Sequence, residues 1–397
     1  LSGLVGSEMC IRDRSGTTSL TVNSGTTQIT CNTCQYYPNN YTGNTVVNGG
    51  IFTASQNNAF SSNSLTTINS GGTVNLGGFS QAINAINLQG GTLTNGSLTG
   101  AITSTDGNIN NIGGSATLTT TSGTTYLQGT NTFSSVAVNG GTINNTGTLN
   151  GPVTTSSGTS SSLANASLSS NSLQTSRLAS RSLSAATTNT VAQNNLLSPN
   201  AGVFNNSGWI KGSVLNNGQL NILGSSARVS GAITGSGEMN IGGLFRQEAS
   251  ISNGVINVNR GGAFITTSGL NAQALNVTAG GAVVAASDIT APINVSSGGT
   301  LTSSGLRNVN GDVRNAGEVF QLTPNDKLNI NGNYSQSATG NFTTLIGSSE
   351  KYGKVETNQN LSVEKGSTIT AIMDRRLRPA SGTVYSAVMK GTAAPFQ

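Results

Sequence analysis

Histidine is absent from this 397-residue chain, and tryptophan occurs once. Without histidine there can be no Ser-His-Asp or Cys-His catalytic arrangement and no His-containing metal site. Charge is scarce as well, at 8% of residues, and between Ser15 and Ser176 the only charged side chain is Asp106. Low hydropathy without high net charge excludes the charge-rich kind of disordered chain. No apolar run reaches the length of about 18 residues that a membrane-spanning helix needs. The net charge of +5 is spread thinly, with Arg228, Arg246, Arg260, Arg307 and Arg314 falling singly along the sequence. Clustered cations with interleaved aromatics, which a phosphate backbone demands, are missing, so no nucleic acid partner is expected. The one dense basic group, DRRLRP at 374–379, reads as a solvated loop.

What is present is glycine, at 53 residues, with serine, threonine and asparagine in every row and valine and isoleucine between them. Such a mixture favours short strands punctuated by turns and leaves little room for helices. The second half repeats: LNILGSS, MNIGGLF, INVNRGGAF, LNVTAGGAV and INVSSGGTL place Asn221, Asn240, Asn257, Asn276 and Asn294 at intervals of 19, 17, 19 and 18. The glycines Gly224, Gly243, Gly262, Gly281, Gly299 and Gly317 follow at 19, 19, 19, 18 and 18. Each unit reads as apolar-Asn-apolar, a turn, and a second alternating run, a period of two that buries one face of a short strand. A unit of this size cannot close its own core, but stacked on its neighbours it can.

The expected fold is therefore all-β, a right-handed parallel β-helix with coils of 18–19 residues. The turn glycines are expected to supply positive φ, and the stacked asparagines to form hydrogen-bonded ladders along the rod. In the first half, Gly72, Gly91, Gly114 and Gly141 are spaced 19, 23 and 27 apart, which suggests inserted loops. Between Gly158 and Gly202 glycine disappears, while Leu163, Leu168, Leu173, Leu178 and Leu183 recur every fifth residue. That spacing fits neither a helix face nor a strand face. It reads either as a short pentapeptide-like coil or as a Ser-rich excursion, in both cases an insertion in the rod. The organisation is then an irregular β-helix over 15–157, an insertion over 158–201, regular coils over 202–308 and a C-terminal cap over 309–397.

Candidate chemistry is thin. The acids Glu238, Glu248, Asp288, Asp312, Glu318 and Asp326 are dispersed, and only stacking could bring two together as a polysaccharide hydrolase or a Ca²⁺-dependent lyase requires. That enzyme is the rival reading; no catalytic residue, metal site or cofactor is expected. Cys31 and Cys34 form CNTC beside QYYPNNYTG. A redox site would need a helix start and zinc would need four ligands, so a small loop disulfide is the expectation.

Two stretches carry resemblances. LVGSEMCIRDR, at 4–14, resembles the in-frame translation of a transposon-end sequencing adapter, so 1–14 is set apart as adapter-derived and Cys10 is not counted as a partner for Cys31 or Cys34. The region 309–397 resembles the C-terminal end of an autotransporter (type V secretion) passenger domain. The matching residues are Leu328, Ile330, Gly332, Tyr334, Gln336, Gly340, Phe342, Ile346, Tyr352, Val355, Gly366, Ile369, Tyr385 and Phe396. The resemblance implies export from a Gram-negative cell, a C-terminal β-barrel translocator beyond Gln397 with the outer-membrane assembly machinery as partners, and folding at the cell surface. It further implies an adhesin or structural surface protein, with a glycan, host matrix or another cell as the unknown ligand.

Overall fold

A computed structural model describes residues 9–11, 16–29, 39–157, 201–373, 377–378, 382–385 and 387–391. The described residues form strands and turns and contain no helix. The strands pair in parallel, turn upon turn, as a right-handed β-helix with a repeat near 19 residues. From Thr117 onward the turns contribute three strands on three faces, whereas N-terminal turns contribute two, as in Leu20–Val22 with Thr26–Ile29 and Thr45–Val47 with Gly50–Ala54. In the regular part, face 1 holds Gln219–Ile222 and Glu238–Ile241. Face 2 holds Leu244–Arg246, Ala263–Thr266, Ala282–Ala285 and Thr300–Ser303. Face 3 holds Ile233–Thr234 and Ile289–Thr290, and the longer strands Ile251–Val258 and Leu270–Val277 bend from face 3 into face 1.

The apolar-Asn-apolar unit is explained by face 1. Alternation sends its first and third residues inward, so that Leu220, Met239, Ile256, Leu275 and Ile293 make one interior column, with Ile222, Ile241, Val258, Val277 and Val295 beside it. The asparagine between them points outward. Asn205 Nδ2 donates to Asn144 Oδ1 at 2.8 Å, and the same bond repeats from Asn221, Asn240, Asn257, Asn276 and Asn294 at 2.7, 3.1, 3.0, 2.9 and 2.9 Å. Asparagine fits because its amide is donor and acceptor at once, so a single residue type can hydrogen-bond to itself along the whole stack. Face 2 supplies a third column, Phe245, Phe264, Val283, Leu301, Val319 and Phe342.

The reason expected for the turn glycines holds at Gly224, with a left-handed φ of +76°, but at the double-glycine turns 261–262, 280–281 and 298–299 positive φ falls on the first glycine, at +80°, +76° and +80°. The second glycine is needed for close approach: a Cβ on Gly262 would stand 2.1 Å from the Ile241 carbonyl oxygen of the turn below, and one on Gly281 2.3 Å from that of Val258. Gly243, Gly299 and Gly317 meet backbone oxygens in the same way, at 1.8, 2.7 and 2.3 Å. Gly262→Ala is therefore expected to destabilise the rod by about 1–3 kcal/mol, the usual cost of overpacking. Gly269, where an added Cβ meets nothing within 4 Å, is the control: Gly269→Ala should leave the urea midpoint unchanged or raised, and equal midpoints for the two variants would refute the close-approach role.

The first half departs from expectation in where its extra residues lie. Gly114 is out of register; the residue stacked on Gly91 is Gly107, whose added Cβ would sit 2.6 Å from the Gly91 oxygen, and the strand Ser80–Gly114 runs on without an inserted loop. The long turns are nearer the N-terminus, where Ile29 pairs with Ala54 and Thr53 with Asn75. Met9–Ile11, inside the adapter-like stretch, pairs in parallel with Thr27–Ile29. Across the insertion the rod closes up: Asn145 pairs directly with Asn206, and Val153 with Val214. The fivefold leucines lie outside the described residues.

From 309 onward the three-faced stacking does not stop. It continues through Tyr334–Gln336 and Leu361–Val363 on face 1, Asn341–Ile346 and Thr368–Met373 on face 2, and Lys354–Thr357 and Met389–Lys390 on face 3. The turns lengthen, so that Tyr334 pairs with Leu361, 27 residues on. Ile369, last in the face 2 column, is 52% exposed because no described strand lies above it.

Candidate functional site

Three of the cap residues of the sequence resemblance, Tyr334, Gln336 and Gly340, meet in one buried polar cluster. At the end of the face 1 columns, Val313 and Asn315 pair with Tyr334 and Gln336. Amides and a phenol thus enter positions that carry aliphatic residues below. Tyr334 Oη donates to Gln336 Oε1 at 2.8 Å, and Asn315 Nδ2 reaches Tyr334 Oη at 3.2 Å and the Asn341 carbonyl at 2.8 Å. Gln336 Nε2 donates to the carbonyls of Gly340 and Thr368 at 3.2 and 2.8 Å, joining three successive turns. Burial pushes the Tyr334 phenol well above its ordinary pKa of 10.0, against the Asn315 hydrogen bond that lowers it.

Phe342 closes the cluster from face 2, fully buried. Gly340 allows the approach, since a Cβ there would lie 2.4 Å from the Asn315 oxygen. Gly332 stacks on Gly311, and its carbonyl accepts from Thr357 Oγ1. Tyr352 stands apart, edge to face with Tyr385 at 5.6 Å and with Lys354 Nζ 4.7 Å from its ring centre. Phe396, Cys31 and Cys34 lie outside the described residues, as does most of the basic group at 374–379. The cluster is a buried structural joint between turns, although Asn315 Oδ1 takes no hydrogen bond in it and Asn315 also borders an open cleft.

Stacking does not assemble the six acids into pairs; each carboxylate instead takes a donor. Glu238 accepts from Asn257, Glu248 from Ser230, Asp288 from Asn308, Asp312 from Asn333, and Glu318 from Thr343. Asp326, buried, accepts from the Thr323 hydroxyl and amide and from the Gly305 amide at 2.7, 2.6 and 2.7 Å. Two open clefts lie near the C-terminal turns. One of 320 Å³ is lined by Arg314, Ser335, Ser337 and Glu364, the other of 360 Å³ by Asn329, Asn331, Glu356 and Lys390. Each has a single carboxylate on its wall, where glycoside hydrolysis uses two. In the second cleft Glu356 is also held by Lys327 at 2.6 Å. No group of three potential metal ligands occurs among the described residues.

Asp288 has a consequence for acid stability. The Asn308 side-chain amide holds its carboxyl below the ordinary 3.8, burial opposes this, and the Asn308 backbone amide and Arg307 assist. A depressed folded-state pKa stabilises the fold above the ordinary value, and the contribution disappears as pH falls through that value toward the lowered one. The site is largely exposed, so the effect is small: the melting temperature of Asp288→Asn should fall less than that of the unaltered chain on acidification below pH 3.8. Parallel acid curves would rule the contribution out.

A feature hidden in the sequence lies on one side of the rod. Trp209 pairs with Arg228, and Ile210 with Val229. The inner residues are buried, whereas Lys211 and Arg228 are exposed. Trp209 Nε1 donates to Ser230 Oγ at 2.8 Å, and Ser230 Oγ donates to Glu248 Oε2 at 2.7 Å. Lys211 Nζ stands 4.5 Å from the indole centre. Arg228 and Arg246 look isolated in the sequence, 18 residues apart, but that is one coil: both are exposed, and although their strands belong to two sheets, the bond from Ser230 to Glu248 joins their turns on the same side of the rod. The repeat period was the signal that could have paired them.

No family model matches the sequence, and no curated protein matches it.

Proposed function

We propose that the chain is the passenger region of an autotransporter and serves as an exported adhesive or structural rod at the surface of a Gram-negative cell. The observation that carries this reading is the continuous stack of turns reaching into 309–390, in which the residues of the passenger-like C-terminal pattern serve as interior joints between turns. A rod of this kind holds its outward asparagines, threonines and loops at fixed spacing away from the cell, which suits contact with another surface. Sparse charge suits export as an extended chain. The expected ligand is a glycan, host matrix or another cell, met without cofactor or metal.

The test is retention of beads coated with the 397-residue chain on immobilised glycans and matrix proteins under flow, with uncoated beads as reference. Retention on at least one surface is expected, and none on any would overturn the adhesive role. Sequencing the genomic locus checks the route: an open reading frame continuing from Gln397 into a β-barrel is expected, and a stop codon without one would refute autotransport. Reducing ends released from polysaccharide during the binding assay would instead favour the hydrolase.

A further inference from the structure

We propose that the outer surface of the rod at Trp209, Lys211, Arg228, Arg246 and Glu248 binds an acidic polysaccharide. The proposal rests on the adhesive reading and names the ligand class for it. In a chain with a single charged residue between Ser15 and Ser176, three exposed cations gather on three successive turns, on one side of the rod, around the only tryptophan. Among the described residues none of the three cations is in a salt bridge. Nothing in the fold requires a cation there, because the position of Arg246 is held on later turns by Ile265, Val284 and Thr302.

The chemistry favours a sugar chain over other polyanions. Turns repeat about 4.8 Å apart along the rod, a spacing close to that of successive pyranose units, so a polysaccharide lying along the axis presents one acidic group per turn. The indole offers an apolar surface to sugar C–H groups and is held in place by its bond to Ser230. Glu248, anchored by the same hydroxyl, accepts from sugar hydroxyls. It would repel the dense phosphates of nucleic acid. Leu244, 46% exposed on the same side of the rod, extends the apolar surface next to Arg246.

The experiment measures binding of the full chain to polygalacturonate, which is carboxylated, and to dextran sulfate, with neutral dextran and double-stranded DNA as comparisons. Expected is salt-sensitive binding to at least one acidic polysaccharide, tighter than to either comparison; the arm that binds identifies the acidic group. Arg228→Gln with Arg246→Gln should weaken it about tenfold, the range for losing close charge contacts. Both side chains are exposed, so the melting temperature should not move. Trp209→Phe, which keeps a ring but loses the indole N–H, should weaken binding without changing its salt dependence. Unchanged affinity in the double variant, or DNA bound as tightly as polysaccharide, overturns the site. Double-variant beads that adhere as well as unaltered ones would refute this site and leave the adhesive role standing. Polysaccharide binding in solution by a chain whose beads adhere to nothing would do the reverse.

Discussion

Tyr334→Ala is expected to destabilise the C-terminal turns by about 3–5 kcal/mol, the range for removing a buried aromatic ring. The side chain is fully buried in a column that runs from Val313 below to Leu361 above, and its loss also strips a partner from Gln336 and Asn315. Backbone amide exchange is the direct measurement: protection should collapse in the strands from Val313 onward and persist in the regular coils, because each turn of a solenoid contacts only its neighbours. Uniform loss along the rod, or none, would contradict this. Tyr334→Phe separates the two contributions, since it keeps the ring and leaves Gln336 Oε1 without its hydroxyl donor, at about 1–3 kcal/mol. The same pair gives an alkaline signature. The phenol ionises near its ordinary 10.0 in the unfolded chain and well above it in the folded one. Stability is therefore complete below pH 10.0 and falls as pH rises past it; Tyr334→Phe should flatten that fall.

Phe264→Ala should cost a similar amount, about 3–5 kcal/mol, with a different spatial result. Phe264 is fully buried, stacked on Phe245 with ring centres 5.8 Å apart, and continuous with Val283 above. It sits amid the regular coils, so a cavity there weakens the coupling between the turns on either side. Urea unfolding is expected to change from one transition to two, as the segments before and after the defect melt separately. Phe264→Leu, which refills most of the volume, should cost about 1.5 kcal/mol or less and keep one transition. A single transition in Phe264→Ala with a small shift of midpoint would mean the column is not what couples the turns.

The coil period, the inward alternation and the asparagine stacking were legible because each is local: Asn221, Asn240 and Asn257 recur at intervals of one turn, and a strand's period of two allows only one face inside. The glycine roles were half legible. GG marks the turn at 261–262, but which glycine takes positive φ and which faces the carbonyl of the turn below depends on how the turns are stacked. Gly114 misled because glycine is so abundant that spacing alone found a wrong partner, when Gly107 holds the register. The 309–397 region looked like a departure from the repeat because its turns grow to 27 residues, yet the strands keep their faces.

Alone, then, the sequence determined the architecture: short alternating strands at coil spacing, too small to close a core singly, have to stack. The tertiary structure decided what meets what. It sent each of the six dispersed acids to an amide or hydroxyl rather than to a second acid, turned Tyr334 and Gln336 inward to join three turns, and brought Lys211, Arg228, Arg246 and the lone tryptophan onto one side of the rod. The physical reason is that secondary structure follows from neighbours in the chain, whereas a site is made from residues one coil apart.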